Sequence, residues 1–315
     1  MVKSIAKSGA RQGAGENRVS NMGISVLRAG QTGNARLAFA LSGGAVWGAA
    51  HVGVLRALDE HGIVPDLITG TSVGSVIGAA LAAGRTWREL DAFARGLKLT
   101  DFARPSLRPR LGILSTGIMH RTLRALGIPD TFDQFRTPFG AVATDVVARA
   151  PLTMSTGNVA TALRASVAVP LVFEARVRHG RFLVDGGTSA NLPLGAAFEL
   201  GAERVLGIRV LGEWEGPPIA HPIAQHRVAA MERRRSVLVI RPFLDQWSPW
   251  DIKAIPQLIE VGYSETMRQL ARPAAQAWLQ EARPLLPSVV AAPRSRQHIT
   301  VSQREPQHAL VSAVA

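Results

Sequence analysis

The sequence predicts an α/β protein whose mostly parallel central sheet is covered by helices on both faces, a three-layer α/β/α arrangement. Short apolar segments alternate along the chain with longer segments in which apolar residues recur every three or four positions. Of the 315 residues, 47% are hydrophobic, so the chain can fill a sizeable core. Cysteine is absent, which excludes a disulfide scaffold, a cysteine-ligated metal site and a cysteine nucleophile.

The first half of the folded region is predicted to hold two strands and three helices. The strands are short apolar segments at Leu37–Leu41 and Leu67–Thr69. Helices are predicted over Gly48–His61, over Val73–Ala83 and from Trp87. Gly62 and Gly84 end the first two helices, because glycine favours the left-handed conformation that follows a last helical turn. A capping box formed by Thr86 and Glu89 begins the third.

The second half continues this alternation. Strands are predicted at Phe139–Ala143, Phe182–Val184, Val205–Val210 and Val237–Ile240. Helices are predicted near Val159–Val167, near Leu194–Leu200 and from Ile252 to Leu270. Because strands and helices alternate, most strands are expected to run parallel, with the helices packed on both faces of the sheet.

Two segments outside this pattern are predicted to be tails. Residues 1–35 are expected to form a flexible basic arm and residues 284–315 a loose tail, which leaves 36–283 as the folded domain. The net charge is +13, and residues 1–36 hold six basic side chains against one acidic. A folded surface built for nucleic acid would itself carry the excess, so nucleic acid is not an expected partner.

The basic arm does not resemble a secretory signal, because no apolar stretch of roughly 7–15 residues follows its first basic residues. No run of about 18 apolar residues occurs elsewhere. We therefore expect a cytoplasmic protein without a signal peptide or a membrane span, whose basic arm is solvated. Peripheral contact of this arm with an anionic membrane, or with an acidic partner, is the alternative.

A Gly-x-Ser-x-Gly motif lies between the second predicted strand and the helix that follows it. Gly70 and Gly74 flank Ser72, and a nucleophile elbow requires this strand–turn–helix context. The glycines allow a tight turn, and the helix N-terminus offers N–H groups to developing negative charge. Ser72 is therefore a candidate nucleophile. The alternative is an ordinary strand–helix turn made of small residues.

A glycine-rich loop joins the first strand to the first helix. Its backbone N–H groups can bind a phosphate or the oxyanion of an acyl transfer. The spacing of Gly43, Ala45 and Gly48 also fits a relaxed dinucleotide motif. That motif requires an acidic residue at the end of the next strand, whereas this strand ends at the Ser72 turn.

An acidic residue, Asp185, follows the Phe182–Val184 strand and precedes Gly186 and Gly187. Asp-Gly alone usually marks a turn. Together with an activated serine and an anion-binding loop, however, a carboxylate at a strand end completes the groups that acyl transfer needs.

Taken in order, these motifs resemble those of the patatin-like phospholipase family. The resemblance spans residues 36–280 and includes Ser166, Pro170 and the Asn191-Leu192-Pro193 stretch. It implies the patatin-like fold and a serine lipid acyl hydrolase that cleaves carboxylic esters of lipids through an acyl-enzyme. The implied partner is a lipid or fatty-acyl ester, and neither a cofactor nor a metal is implied.

The resemblance also implies a role for each motif residue. Ser72 would be the nucleophile and Asp185 the base of a Ser–Asp dyad. The backbone amides of Gly43, Gly44 and Ala45 would form the oxyanion hole. The remaining motif residues are glycines: Gly48, Gly70, Gly74, Gly186 and Gly187.

Two positions depart from the family pattern. Ala45 stands where the family usually has a third glycine, and Trp47 stands where it usually has a basic residue. If the third position needs a positive φ, Ala45 costs about 1 kcal/mol. These departures put the rate and the substrate preference in doubt.

Two alternatives stay open from the sequence. The first is a patatin-fold regulatory or binding protein with little turnover. The second is an ordinary α/β-hydrolase triad, in which a histidine follows the acid along the chain. The histidines after Asp185 lie in a predicted proline-rich loop or in the tail, where none is well placed: His221, His226, His298 and His308.

Overall fold

The computed structural model describes residues 35–97, 104–105, 114–115, 119–170, 172–173, 176–178, 180–210 and 222–282. The predicted arm, apart from Ala35, and the predicted tail lie outside these residues, as does His221. The strands are β1 (Ala35–Leu41), β2 (Leu67–Thr71), β3 (Arg104–Pro105), β4 (Leu114–Ser115), β5 (Phe139–Asp145), β6 (Ala150–Met154), β7 (Arg176–Arg178), β8 (Arg181–Asp185), β9 (Ala202–Ile208) and β10 (Val237–Ile240). The helices are α1 (Ala50–Glu60), α2 (Val73–Ala82), α3 (Trp87–Arg95), α4 (Met119–Ala125), α5 (Val159–Ser166), α6 (Gly187–Ala190), α7 (Leu194–Glu199), α8 (Pro222–Glu232), α9 (Ile255–Leu270) and α10 (Pro273–Ala282).

Eight of the described strands form one sheet, in the order β10-β9-β1-β2-β5-β8-β7, with β6 beside β5. The five strands from β10 to β5 are parallel to one another. Beyond them β6 and β8 pair antiparallel with β5, and β7 pairs antiparallel with β8. The sheet is therefore mostly parallel, as predicted, with an antiparallel end.

The side chains of β1 alternate between two hydrophobic clusters, one on each face of the sheet. Leu37, Phe39 and Leu41 pack with apolar residues of α1, α2 and α9. Ala38 and Ala40 face the other way and pack with residues of α7 and β9. Because helices cover both faces, the three-layer α/β/α prediction is confirmed.

Several elements depart from the sequence prediction. Neither β6 nor β7 was predicted, because β6 contains Pro151 and β7 is a three-residue segment with two arginines. Proline is tolerated in β6 because, among the described strands, it pairs only with β5 and so lies at an edge. The predicted loop around Pro222 is wrong. Pro222 begins α8, since proline suits the first helical turn, and His226 lies on that helix.

Helices α1 and α9 cross with their backbones in contact at two glycines. A side chain on Gly53 would overlap the Ile259 carbonyl oxygen and lie 2.6 Å from the Tyr263 amide nitrogen. On the facing helix, a side chain at Gly262 would overlap the Ala50 carbonyl oxygen. This crossing fixes α1, which follows the glycine-rich loop, against the body of the protein.

We predict that Gly53→Ala destabilises the protein, because the new methyl group forces the two helix backbones apart. The expected loss is about 1–3 kcal/mol in the free energy of unfolding, measured by urea denaturation. Gly96→Ala is the matched control, since a methyl group there meets nothing closer than 3.6 Å. Equal stability of the Gly53→Ala variant and the native protein would contradict this account.

Candidate active site

The turn at Ser72 holds a strained backbone conformation. Ser72 follows β2 and directly precedes α2, and its φ is 52° with ψ at −128°. A non-glycine residue rarely adopts a positive φ, and doing so costs of order 1–3 kcal/mol. Two hydrogen bonds help to hold the turn: the Ser72 N–H donates to Ser166 Oγ at 3.0 Å, and Ser75 Oγ donates to the Ser72 carbonyl at 2.6 Å.

The glycines on either side of Ser72 are needed for space. A side chain at Gly70 would lie 2.5 Å from the Ser75 Cα atom. A side chain at Gly74 would overlap the carbonyl oxygens of Leu41 and Ser42 at the end of β1. The turn can therefore lie against its own helix and against the end of β1 only because both positions lack a side chain.

The carboxyl ends of β2 and β8 meet at one edge of β5. β2 pairs with β5 as far as Thr71 opposite Val142, and β8 pairs with it from Asp185 opposite Ala143. β6 pairs with the same stretch of β5 and so occupies its other edge. The two strands thus approach each other along one edge from opposite directions, which brings Asp185 to the Ser72 turn.

The Asp185 carboxylate is buried, with 6% of the residue exposed. Its Oδ1 accepts a hydrogen bond from the Gly187 N–H at 2.7 Å. Its Oδ2 is buried and has no well-formed hydrogen bond among the described residues. Burial raises the pKa of Asp185 to about 6, against the opposing effects of the Ser72 hydroxyl and the Gly187 N–H. The carboxylate is therefore a stronger base than an exposed aspartate and has an oxygen ready to accept a proton.

The glycine-rich loop lies directly beside Ser72. The position of a Cβ atom on Gly43 would be only 3.1 Å from the Ser72 Cβ atom. The Gly43 N–H donates to the Asn191 carbonyl at 3.3 Å. The N–H groups of Gly44 and Ala45 have no hydrogen-bond acceptor within the described part of the chain. Two of the three predicted oxyanion donors are thus unengaged, whereas the third already holds the loop to the segment after α6.

Buried side chains anchor this loop from beneath. The Val210 N–H donates to Ser42 Oγ at 3.0 Å, and the ring nitrogen Nε2 of His51 lies 2.9 Å from the Ser42 carbonyl oxygen. Burial lowers the pKa of His51 to about 4, so its ring is neutral at neutral pH. A neutral ring whose Nε2 carries the proton donates to that carbonyl and orients the strand end from which the loop departs.

The family model for patatin-like phospholipases matches residues 39–198, slightly more than half of the chain. The chain belongs to the patatin-like phospholipase family. The matched region contains the Ser72 turn, the glycine-rich loop and Asp185. This family consists of lipid acyl hydrolases.

Curated patatin-like relatives share about a third of the aligned residues. An uncharacterized NTE family protein of Mycobacterium tuberculosis is 34% identical over 197 residues, 61% of this chain and 53% of the relative. Human patatin-like phospholipase domain-containing protein 6 is 33% identical over 193 residues, 57% of this chain and 14% of the relative. The chain therefore spans about half the length of the mycobacterial relative and a small part of the human one.

Two solved structures show a more distant likeness. VipD from Legionella pneumophila matches with a TM-score of 0.44 and 14% identity, over 76% of this chain and 67% of that chain. The type III effector protein ExoU matches with a TM-score of 0.45 and 14% identity, over 78% and 53%. The fold of this patatin-like chain is defined by its own strand order, β10-β9-β1-β2-β5-β8-β7.

The two departures from the family pattern occupy defined places. Ala45 has a φ of 48°, the left-handed conformation for which a glycine is usual. Trp47 is buried, with 5% of the residue exposed. Its Nε1 donates to the Trp247 carbonyl at 2.9 Å, and the neighbouring Val46 N–H donates to the Pro249 carbonyl at 3.0 Å. The loop is thus tied by hydrogen bonds to residues 247–249.

The remaining motif glycines lie at backbone crossings around the site. A side chain at Gly48 would collide with Val73 at the start of α2. A side chain at Gly186 would overlap the Val142 carbonyl oxygen, and one at Gly187 would lie 2.9 Å from Asp185 Oδ1. The structure therefore brings the predicted base, the glycine-rich loop and the motif glycines together around Ser72.

Two residues contribute contacts that the sequence did not assign. Ser166 Oγ accepts from the Ser72 N–H and donates to the Val142 carbonyl at 2.6 Å. The Asn191 carbonyl accepts from Gly43, and its Nδ2 is buried without a partner among the described residues. Both belong to motifs of the resemblance, but their partners are backbone groups distant in sequence, which no local pattern reveals.

The described residues contain no group of three or more histidine, aspartate or glutamate side chains that could hold a metal ion. Within the same ranges, every helix is too short or too polar to cross a bilayer.

We predict that Asp185→Asn stabilises the folded protein above pH about 6. The folded pKa is raised from 3.8 to about 6, so the folded state binds this proton more tightly than the unfolded state. Stability from this group is therefore present at low pH and is lost as the pH rises through that window. Asparagine cannot ionise, and we expect a gain of about 1–3 kcal/mol at neutral pH.

Urea denaturation of both proteins from pH about 4 to about 8 measures this difference. The advantage of Asp185→Asn should be small at the acid end and should grow until the pH passes about 6. A difference that stays constant with pH would contradict the raised pKa.

Proposed function

We propose that this protein is a serine lipid acyl hydrolase that cleaves carboxylic esters of phospholipids or related lipids through a Ser–Asp dyad. The observation that carries the proposal is the strained Ser72 turn beside a buried carboxylate, whose pKa burial raises and the Ser72 hydroxyl lowers in part, and one oxygen of which has no well-formed hydrogen bond. Strain at a single residue is typical of functional sites. Family membership supports the lipid ester as the substrate class.

In the proposed mechanism, Asp185 accepts the Ser72 hydroxyl proton as Ser72 Oγ attacks the ester carbonyl carbon. The new C–O bond forms while the carbonyl π electrons move to oxygen, and the N–H groups of Gly44 and Ala45 stabilise that oxyanion. The C–O bond to the leaving alcohol then breaks, and protonated Asp185 returns the proton to the alcohol. An acyl-enzyme on Ser72 remains.

The second half of the mechanism reverses these roles with water. Asp185 takes a proton from a water molecule, whose oxygen attacks the acyl carbon. The bond to Ser72 Oγ breaks, Ser72 regains the proton from Asp185, and the carboxylic acid leaves. Because Asp185 acts on Ser72 directly, the geometry of the pair depends on the Ser72 turn and on the Gly187 N–H that holds Asp185.

The dyad is tested by ester hydrolysis of purified variants, with folding checked by circular dichroism. Ser72→Ala should abolish both turnover and labelling by a fluorophosphonate probe. Asp185→Asn should lower turnover by several orders of magnitude, because a carboxamide cannot accept the Ser72 proton. Alanine replacements of His221, His226, His298 and His308 are the matched controls and should each leave most of the activity.

Two outcomes would overturn the proposal. An active Asp185→Asn protein together with an inactive, folded His221→Ala or His226→Ala protein would restore a histidine-containing triad. A native protein that neither hydrolyses a short-chain nitrophenyl ester nor reacts with the probe would favour a regulatory or binding role.

We further predict the pH dependence of the reaction on a soluble ester. Because the base must be ionised, kcat/KM should rise about tenfold per pH unit below pH about 6 and level off above it. His51 does not titrate in this window, since burial lowers its pKa to about 4. A profile that is flat from pH about 4 to about 8 would exclude Asp185 as the base.

A further inference from the structure

Three exposed apolar side chains form a row across the sheet at the carboxyl ends of the parallel strands, where the Ser72 turn also lies. Val177 of β7 lies opposite Phe182 of β8 in the strand register. The Val146 N–H, just beyond β5, donates to the Phe182 carbonyl at 3.0 Å and continues the β5–β8 pairing by one residue. Residues directly opposite each other share a face of the sheet. We call Val146, Phe182 and Val177 the apolar row.

Within the described ranges, the helical layer ends beside the apolar row and leaves it uncovered. The next pair on the same face is Thr144 and Val184, and the Thr144 hydroxyl contacts Ser189 of α6 at 2.8 Å. At the next position on this face, farther from α6, Val146 is 48% exposed, Phe182 55% and Val177 62%. A contiguous exposed row of large apolar residues marks an interaction surface, whereas single exposed residues do not.

The neighbouring turn is ordered by a buried side chain. Asp145 Oδ1 accepts hydrogen bonds from the N–H groups of Val147 and Ala148, both at 3.0 Å. Its Oδ2 pairs with Arg181 at 2.9 Å. These contacts fix the turn that holds Val147, of which 79% is exposed. The surface therefore presents its apolar side chains in a set geometry.

Basic side chains accompany the apolar row. The segment from β7 to Phe182 holds three arginines and no carboxylate: Arg176, Arg178 and Arg181. Strand alternation places Arg178 and Arg181 opposite each other on the other face of the sheet, where Arg178 donates to the Thr156 carbonyl at 2.7 Å and Arg181 pairs with Asp145. Exposed Arg149 lies in the turn after β5. An apolar surface beside exposed Arg149 complements a bilayer with anionic headgroups.

We propose that the apolar row docks the protein onto an anionic lipid bilayer. The row enters the boundary between headgroups and acyl chains, and exposed Arg149 meets a lipid phosphate. Asp185 pairs at the level of Ala143, three residues before Val146, which is about 10 Å along a strand. Docking through the apolar row therefore holds the bilayer surface close to the candidate site.

Docking does not require the protein to hydrolyse the lipid; only the fate of the bound lipid rests on the proposed function. Vesicle binding and ester turnover are therefore measured separately. Binding is measured by co-sedimentation of the full chain with phosphatidylcholine vesicles, with and without phosphatidylglycerol. The Ser72→Ala background keeps the lipids intact. Val177→Thr combined with Phe182→Thr removes two of the three members of the row while retaining strand propensity. Val64→Thr is the control, because Val64 is 37% exposed but precedes β2 and so lies at the opposite edge of the sheet.

The double variant should bind phosphatidylglycerol vesicles roughly tenfold more weakly, while Val64→Thr binds like the parent. Arg149→Asn, which tolerates the φ of 51° at this position, should reduce the preference for phosphatidylglycerol. The double variant in the native Ser72 background should hydrolyse a soluble ester at the native rate. That result would show that the site is intact and that only docking is lost.

Three results would overturn the docking proposal. They are an unchanged affinity of the double variant, an equal loss in Val64→Thr, and a native dimer that becomes monomeric in the double variant. The last would make the row an interface between copies of the chain. Loss of vesicle binding in the double variant with no ester turnover by the native protein would leave docking standing and remove the proposed function. Native turnover with unchanged binding would do the reverse.

Discussion

The candidate site depends on two strands that share one edge of β5. β2 runs along this edge as far as Thr71, and β8 arrives from the opposite direction and stops at Asp185. Two strands that meet end to end place the residues after one and at the end of the other side by side. In a sheet with β8 elsewhere, a serine and an aspartate 113 positions apart would have no reason to meet. The helices, the loops and the glycines then refine a contact that this pairing creates.

The second condition for the site is that several backbone segments can approach each other closely. The strained Ser72 turn, the end of β1 and the glycine-rich loop crowd together so closely that Gly70, Gly74 and Gly43 have no room for a side chain. Close packing of backbones also explains why the loop needs anchors below it. His51 and Ser42 provide them from within, and Trp47 ties the outer part of the loop to Trp247. A basic side chain in place of Trp47 could not occupy this buried position without a charge partner.

The two buried titratable groups of the site region act on stability in opposite directions. The pKa of His51 is lowered to about 4 and that of Asp185 is raised to about 6. As the pH falls below about 6, His51 becomes protonated in the unfolded state but stays neutral in the folded state, and this difference favours unfolding. Over the same range folded Asp185 takes up a proton before its unfolded counterpart, which favours folding. The two effects therefore partly cancel in the native protein.

Local patterns in the sequence predicted the parallel part of the sheet and the position of each motif residue. Two short motifs each follow a strand: Gly-x-Ser-x-Gly and Asp-Gly-Gly. The structure that each motif predicts depends only on the elements next to it in the sequence. The roles of Ser166 and Asn191 were beyond such reasoning, because each bonds to a backbone group that long-range packing delivers. The strands β6 and β7 escaped prediction because proline and arginine mask their β character. The apolar row could not be predicted either, because its three members come from three separate segments that only the pairing of the sheet brings together.

The long-range pairing of β1 has a consequence for how the protein is made. β1 lies between β2 and β9, and Ser42 at its end bonds to Val210, 168 residues further along the chain. The loop that follows also bonds to Pro249. Non-local contacts of this kind form late, because loop closure must precede them. During synthesis the Ser72 region emerges long before these partners, so a nascent chain cannot complete the anchoring of its glycine-rich loop until residues 210 and 249 have left the ribosome.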